Sequence, residues 1–117
     1  MNAGVLMFLA LVVGHLIGDY PLQGDFLARA KNHTAPVAGV PWQIALASHA
    51  AIQGGITAAC TGSVQLGIAE YAVHCSIDYA KAEGWLGAGE RSYALDQLLH
   101  ALSKVVWVLL PPSGFCR

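Results

Sequence analysis

The segment Glu70-Tyr-Ala-Val-His74-Cys-Ser-Ile-Asp78-Tyr-Ala-Lys81 decides how the chain folds. Glu70, His74, Asp78 and Lys81 fall at intervals of three and four residues, the spacing that aligns side chains on one face of an α-helix. Downstream, Asp96, His100 and Lys104 repeat the stripe, and upstream His15 and Asp19 form another pair four positions apart. His49 and Gln53 form a weaker one. Polar stripes of this kind, set in apolar sequence, predict helices that turn their ionisable faces toward one another.

Punctuation outside these stripes gives the boundaries. Residues 3–18 carry no formal charge when His15 is neutral and form the clearest membrane-span candidate. Gly18, Pro21 and Gly24 then break the chain, and residues 25–31 predict a short amphipathic helix at a membrane interface. Pro41-Trp42 opens a helix that runs to Cys60, and Thr61-Gly62-Ser63 is a tight turn into a helix over 64–82. Gly84 to Gly89 form a glycine-rich loop, Ser92 is the expected N-cap of a helix over 92–110, and Pro111-Pro112 stop it. The expected fold is all-α: a four-helix transmembrane bundle with a short interfacial helix after the first helix, in one domain over 1–117.

Composition supports that reading. Hydrophobic residues make up 56% of the chain and charged ones 11%, against about 25% charged in soluble domains. So few charges favour a surface that faces lipid, or an oligomer that buries its exterior. The small-residue run Ala45, Ala47, Ser48, Ala50, Ala51, Gly54 and Gly55 allows the close helix packing of a homo-oligomer. A net charge of -1 with scattered Lys and Arg disfavours nucleic acid as a partner. Cys60, Cys75 and Cys116 show no Cys-x-x-Cys spacing and read as small apolar residues. Ala28-Arg29-Ala30 imitates a signal cleavage site, but no Lys or Arg precedes the apolar run, so a retained helix is expected. Arg29, Lys31, Lys81 and Arg91 fall on one side of the bundle and only Arg117 on the other. The positive-inside rule then gives a multi-pass protein of the bacterial inner membrane with both termini outside.

Depth makes the pairs converge. Alternating helix directions bring the end of the first helix, the start of the second, the end of the third and the start of the fourth to one side. At about 1.5 Å per residue, His15, His49, His74 and His100 reach one layer, and His33 stays in a loop. The candidate metal ligands are His15, Asp19, His49, His74, Asp78, Asp96 and His100. Four imidazoles with three carboxylates suit a divalent metal, zinc first, or manganese or iron where more carboxylates bind. An open coordination position would acidify water, with Asp19, Asp78 or Asp96 as the catalytic general base. The competing reading is a metal-free buried polar network. Lys81 and Lys104 are expected to snorkel or, less often, to bind phosphate or carboxylate. Trp42, Trp85 and Trp107 read as interface or packing residues, and Cys75 points away from the stripe.

The order His15-Leu-Ile-Gly-Asp19-Tyr-Pro-Leu-Gln23, His49, His74-Cys-Ser-Ile-Asp78-Tyr-Ala-Lys81, Asp96-Gln97-Leu-Leu-His100 resembles the small phage and bacterial membrane proteins classified as domain of unknown function 3307. The resemblance implies a helical membrane protein, often phage-encoded. It also implies that His15, Asp19, Gln23, His74, Asp78, Lys81, Asp96, Gln97 and His100 are motif residues, with Tyr20 standing where Phe is more usual. A fainter similarity to membrane-bound metal-dependent hydrolases implies metal-assisted hydrolysis. The expected function is a membrane-embedded metal-dependent hydrolase acting on a phosphate or ester of a lipid or envelope intermediate at the cytoplasmic face. The alternative is a non-catalytic interaction protein that binds a host envelope or phage protein and whose polar core is structural. An ion pathway is disfavoured because 3–13 is apolar.

Overall fold

The structure is a computed structural model, and it describes residues 1–110. Five helices form: α1 (Ala3–Asp19), α2 (Gly24–Ala30), α3 (Trp42–Thr61), α4 (Val64–Ala82) and α5 (Gly89–Leu109). No strand occurs among the described residues. The four long helices close into a ring in which α1 and α4 each pack against α3 and α5, and α2 lies on α3. Successive long helices run antiparallel, so the expected all-helical bundle with a short helix after the first is what the chain forms.

Local chemistry fixes the boundaries. The Asn2 side chain caps α1 by accepting from the Val5 amide at 2.9 Å, and Ser63 caps α4 by accepting from the Leu66 amide at 3.2 Å. Between α3 and α4, Gly62 adopts φ 68°, and its amide reaches the Ala58 carbonyl at 2.9 Å. This left-handed residue is cheap only for glycine and turns the chain in the space of Thr61-Gly62-Ser63. The same two helices then touch at Gly54 and Gly67. A Cβ on Gly54 would sit 2.6 Å from the Gly67 carbonyl oxygen, and one on Gly67 2.7 Å from that of Gly54. Only a pair of glycines permits this backbone contact.

One boundary expectation needs correction. The last helix begins at Gly89 with Ala88 as its cap residue, not at Ser92. Ser92 is buried inside the first turns, while Glu90 places a carboxylate at the positive end of the helix. The expected stop at Pro111-Pro112, together with Cys116 and Arg117, lies outside the described residues. After Asp19 the chain bends by 85° into α2, which the fully buried Ala30 anchors. No single helix among the described residues is long and apolar enough to cross a membrane, residues 3–18 included. Only α1 and α2 taken together pass that test.

The distribution of polarity is inverted. The apolar cluster is small, built on Leu11, Leu66 and Trp107 with Met7, Cys60, Ala69, Val73 and Val108 around it. The remaining fully buried large side chains are polar: His49, Gln53, Glu70, His74, His100 and Lys104. Outside, Leu6, Val13, Ile44, Ile68, Leu98 and Leu109 are exposed. Among the described residues the exposed charged side chains are Asp25, Arg29, Glu83, Glu90 and Arg91. All five lie in α2, in the α4–α5 connector or in the first turn of α5, hence at one end of the bundle.

Candidate metal centre

Each of the four long helices contributes one imidazole to the interior near the connector end: His15 from α1, His49 from α3, His74 from α4 and His100 from α5. Three are fully buried and His15 nearly so. The His74 ring lies 4.1 Å from that of His100, 4.8 Å from that of His49 and 5.8 Å from that of His15. Each presents Nε2 inward. His49 and His74 face each other Nε2 to Nε2 at 3.0 Å, and one of these nitrogens must offer a lone pair where the other offers a proton or an ion intervenes.

Carboxylates interleave with the rings. Asp19 Oδ2 lies 3.2 Å from His15 Nε2 and its Oδ1 3.2 Å from His49 Nε2. The Gln53 amide donates to Asp19 Oδ1 at 3.0 Å, and the Gln97 amide donates to Asp19 Oδ2 and Asp96 Oδ2, both at 3.1 Å. His100 Nε2 stands between Asp78 Oδ1 at 3.3 Å and Asp96 Oδ1 at 3.4 Å. Three sets of donor atoms, each within 4.8 Å of one another, can hold an ion: His15, His74 and His100; Asp19, His49 and His74; and Asp19, Asp96 and His100. Six of the seven sequence-derived candidates enter these sets. Asp78 enters none, although it lies within 3.6 Å of His49, His74 and His100.

Asp78 is held instead by Lys31. The Lys31 ammonium, just beyond α2, donates to Asp78 Oδ2 at 2.7 Å. Lys81 lies 3.5 Å from Asp96 and 5.4 Å from the centre of the Tyr93 ring. Lys104 corrects the expectation that it snorkels: it is fully buried and donates to Glu70 Oε1 at 2.6 Å. Trp107 also does more than pack, since its indole N–H donates to Glu70 Oε2 at 2.6 Å. Three carboxylates thus have a lysine each, and Asp19 has none. Four carboxylates against three ammonium groups leave one negative charge, which an imidazolium or an added cation must balance.

The donor set fits a divalent ion unevenly. A ligand histidine is normally fixed by a hydrogen bond from its other ring nitrogen. His74 has that support, because its Nδ1 lies 3.2 Å from Glu70 Oε1, and Glu70 is itself held by Lys104, Trp107 and Ser103. The Nδ1 atoms of His15, His49 and His100 are buried without a hydrogen-bond partner. The best-prepared set is therefore Asp19, His49 and His74, in which the carboxylate lacks a lysine and one imidazole is oriented from behind.

A polar cavity of about 260 Å³ opens beside the centre at the connector end, with Gln23, Lys31, Asn32, Asp78, Lys81 and Ser92 in its wall. Gln23 donates to the Asp19 carbonyl at 3.1 Å. His33 stays outside, as expected of a loop residue. It stacks on Tyr79 at 4.1 Å and lies 2.7 Å from Glu83, whose carboxyl it holds below the ordinary glutamate range. Cys75 faces away from the centre and lines an outer groove with Trp42, Tyr79 and Trp85.

The contacts of Lys31 and the backing of His74 by Glu70 were not anticipated. Glu70 was legible as a member of the stripe. Lys31 gave no signal, because its position depends on the path of the connector.

The chain belongs to the family described as "Protein of unknown function (DUF3307)", whose model matches residues 7–112. Neither the curated proteins nor the solved structures provide a match.

Proposed function

We propose that this protein is a membrane-embedded, metal-dependent hydrolase acting on a phosphate or ester of a lipid or envelope intermediate. One observation carries the reading: imidazoles from four helices converge with carboxylates, directly beneath a lysine-lined cavity, inside an exterior whose exposed charges, among the described residues, all lie at one end. The polarity inversion favours a bilayer even though no single helix qualifies. Helix-averaged hydropathy counts Glu70, His74 and Asp78 of α4 and Asp96, His100 and Lys104 of α5, and those residues are buried inside the bundle. The four long helices have 17 to 21 residues, about 25 to 32 Å at 1.5 Å per residue, close to a hydrocarbon core of about 30 Å. The connector end, which carries Arg29, Lys31, Lys81 and Arg91, would face the cytoplasm of a bacterial inner membrane.

Asp19, His49 and His74 would hold the ion, with zinc the first choice for this nitrogen and oxygen set. When bound, such an ion supplies Lewis-acid polarisation and acidifies water. Asp96 supplies the base: its Oδ1 has no hydrogen-bond partner among the described residues and can take a proton. Asp78, held by Lys31, orients His100. Elemental analysis of the detergent-purified protein tests the reading. Wild type should carry stoichiometric metal that His74→Ala loses, together with hydrolytic activity on phosphate monoesters or esters. Metal-free wild type would sink the proposal.

A second reading has its own support. A lysine for each of three carboxylates, and three Nδ1 atoms without the usual backing, suit a metal-free network that fixes the fold of a non-catalytic interaction protein. Under that reading an imidazolium balances Asp19, and His74→Ala alters stability without any change in metal content.

A further inference from the structure

The cavity at the connector end holds more hydrogen-bond donors than its carboxylates consume. Lys31 and Lys81 each carry three ammonium protons, and the contacts to Asp78 and Asp96 engage one apiece. Asn32 accepts from Thr34 through Oδ1, and among the described residues its Nδ2 makes no such contact. The Ser92 hydroxyl completes the donor group in the same wall. Asp78 is the one carboxylate in the wall, and it is more than nine-tenths buried. Its other close partners are the imidazoles of His49, His74 and His100, on the side of the centre. The cavity is therefore lined by two cations and neutral donors, with its single anion drawn inward.

Charge counting links this cavity to the centre. Without an ion, the four carboxylates are met by three lysines and by an imidazolium such as His100, which stands between Asp78 and Asp96. A divalent cation at Asp19, His49 and His74 adds positive charge for which the interior holds no further carboxylate, and the natural complement is an anion on the lysine side.

We infer that the cavity is a phosphate-binding subsite, built by Lys31, Lys81, Asn32 and Ser92, whose occupancy is coupled to the cation. The inference rests on the reading of the centre as a cation site and names the group it would receive: a phosphomonoester, whether the head group of a lipid or free phosphate. Lysines act here as point charges, and the neutral donors supply direction. Coupling is reciprocal, so the cation must tighten phosphate by the same factor as phosphate tightens the cation.

The test uses the full chain in detergent, loaded with zinc and checked by elemental analysis, with inorganic phosphate as the probe in titration calorimetry. Phosphate should bind the zinc-loaded protein about ten-fold more tightly than the chelated one. Lys31→Met and Lys81→Met should each weaken it about ten-fold while zinc content is unchanged, and Lys81→Arg should recover most of the loss. Lys81 is partly exposed, so Lys81→Met and Ser92→Ala decide the matter if Lys31→Met does not fold.

Zinc-loaded protein that ignores phosphate, or both Met variants binding it as wild type does, overturns the subsite. Absence of zinc from wild type instead overturns the centre. Dihexanoyl phosphatidic acid binding more tightly than inorganic phosphate supports the subsite with a lipid source, and equal binding supports it with a free one. Dihexanoyl phosphatidylcholine matching phosphatidic acid overturns it, because acyl chains would then drive binding.

Discussion

Glu70 and Asp19 are carboxylates of the same polar interior, and the protein answers their charges differently. Glu70 receives a lysine, an indole N–H and an imidazole, with a serine hydroxyl nearby. Asp19 receives two glutamine amides and lies against the imidazoles of His15 and His49, with no fixed cation. The first arrangement is closed and neutral. The second is organised but short of positive charge, as expected of a site that waits for a ligand.

Removing each charge in turn would break this contrast most directly. Glu70→Gln strands the Lys104 ammonium in the interior, where a buried partnerless charge costs about 3 to 5 kcal/mol. Asp19→Asn removes a charge with no lysine partner but sets an amide NH2 against the Gln53 or Gln97 donor, and should cost the metal-free protein about 1 to 3 kcal/mol, less than Glu70→Gln. Unfolding of the two variants in detergent with chelator present gives the comparison. Equal losses would mean that Asp19 is as fully compensated as Glu70. The Asp19 variant should also lose stabilisation by added zinc.

A smaller effect comes from the support behind Asp19. A Cβ on Gly18 would lie 2.4 Å from Gln53 Nε2, and Gln53 is too buried to swing away. Gly18→Ala should therefore cost about 1 to 3 kcal/mol through overpacking and displace the amide from Asp19. A crystal structure or zinc titration indistinguishable from wild type would show that Gln53 is not needed to position the carboxylate.

The smallest effect lies outside the bundle, at His33 and Glu83. The folded-state value of Glu83 is depressed, so its contribution is present above the ordinary glutamate range and is lost as pH falls through the lowered value. His33→Phe keeps a ring on Tyr79 but removes the hydrogen bond, and should make the acid-side fall in stability slightly shallower. An unchanged acid limb would show that this exposed pair contributes nothing measurable.

The sequence made the helices and the histidine layer legible, because spacing by four sets the face and alternating direction sets the depth. Both are properties of single helices and their order. What escaped depends on rotation of one helix against another and on connector paths. Lys104 looked like a residue that would reach for an interface, yet the rotation of α5 turns it onto Glu70 of α4. Lys31 reaches Asp78 across 47 residues only because the chain bends after Asp19. Ser92 fitted the preference for an N-cap, and tertiary burial overrode it.

The packing of α1 against α5 fixes the order in which the protein can be built. Every other neighbouring pair among the four long helices is consecutive along the chain, whereas Gln97 bonds Asp19 and His15 across 78 and 82 residues. During N-to-C synthesis, α3 can therefore partner Asp19 early, through Gln53 and His49, whereas the contacts of Gln97 to Asp19 and His15 wait until α5 arrives. Gln97 then acts as the clasp of the ring, and the layer of four imidazoles is complete only at the last step of assembly.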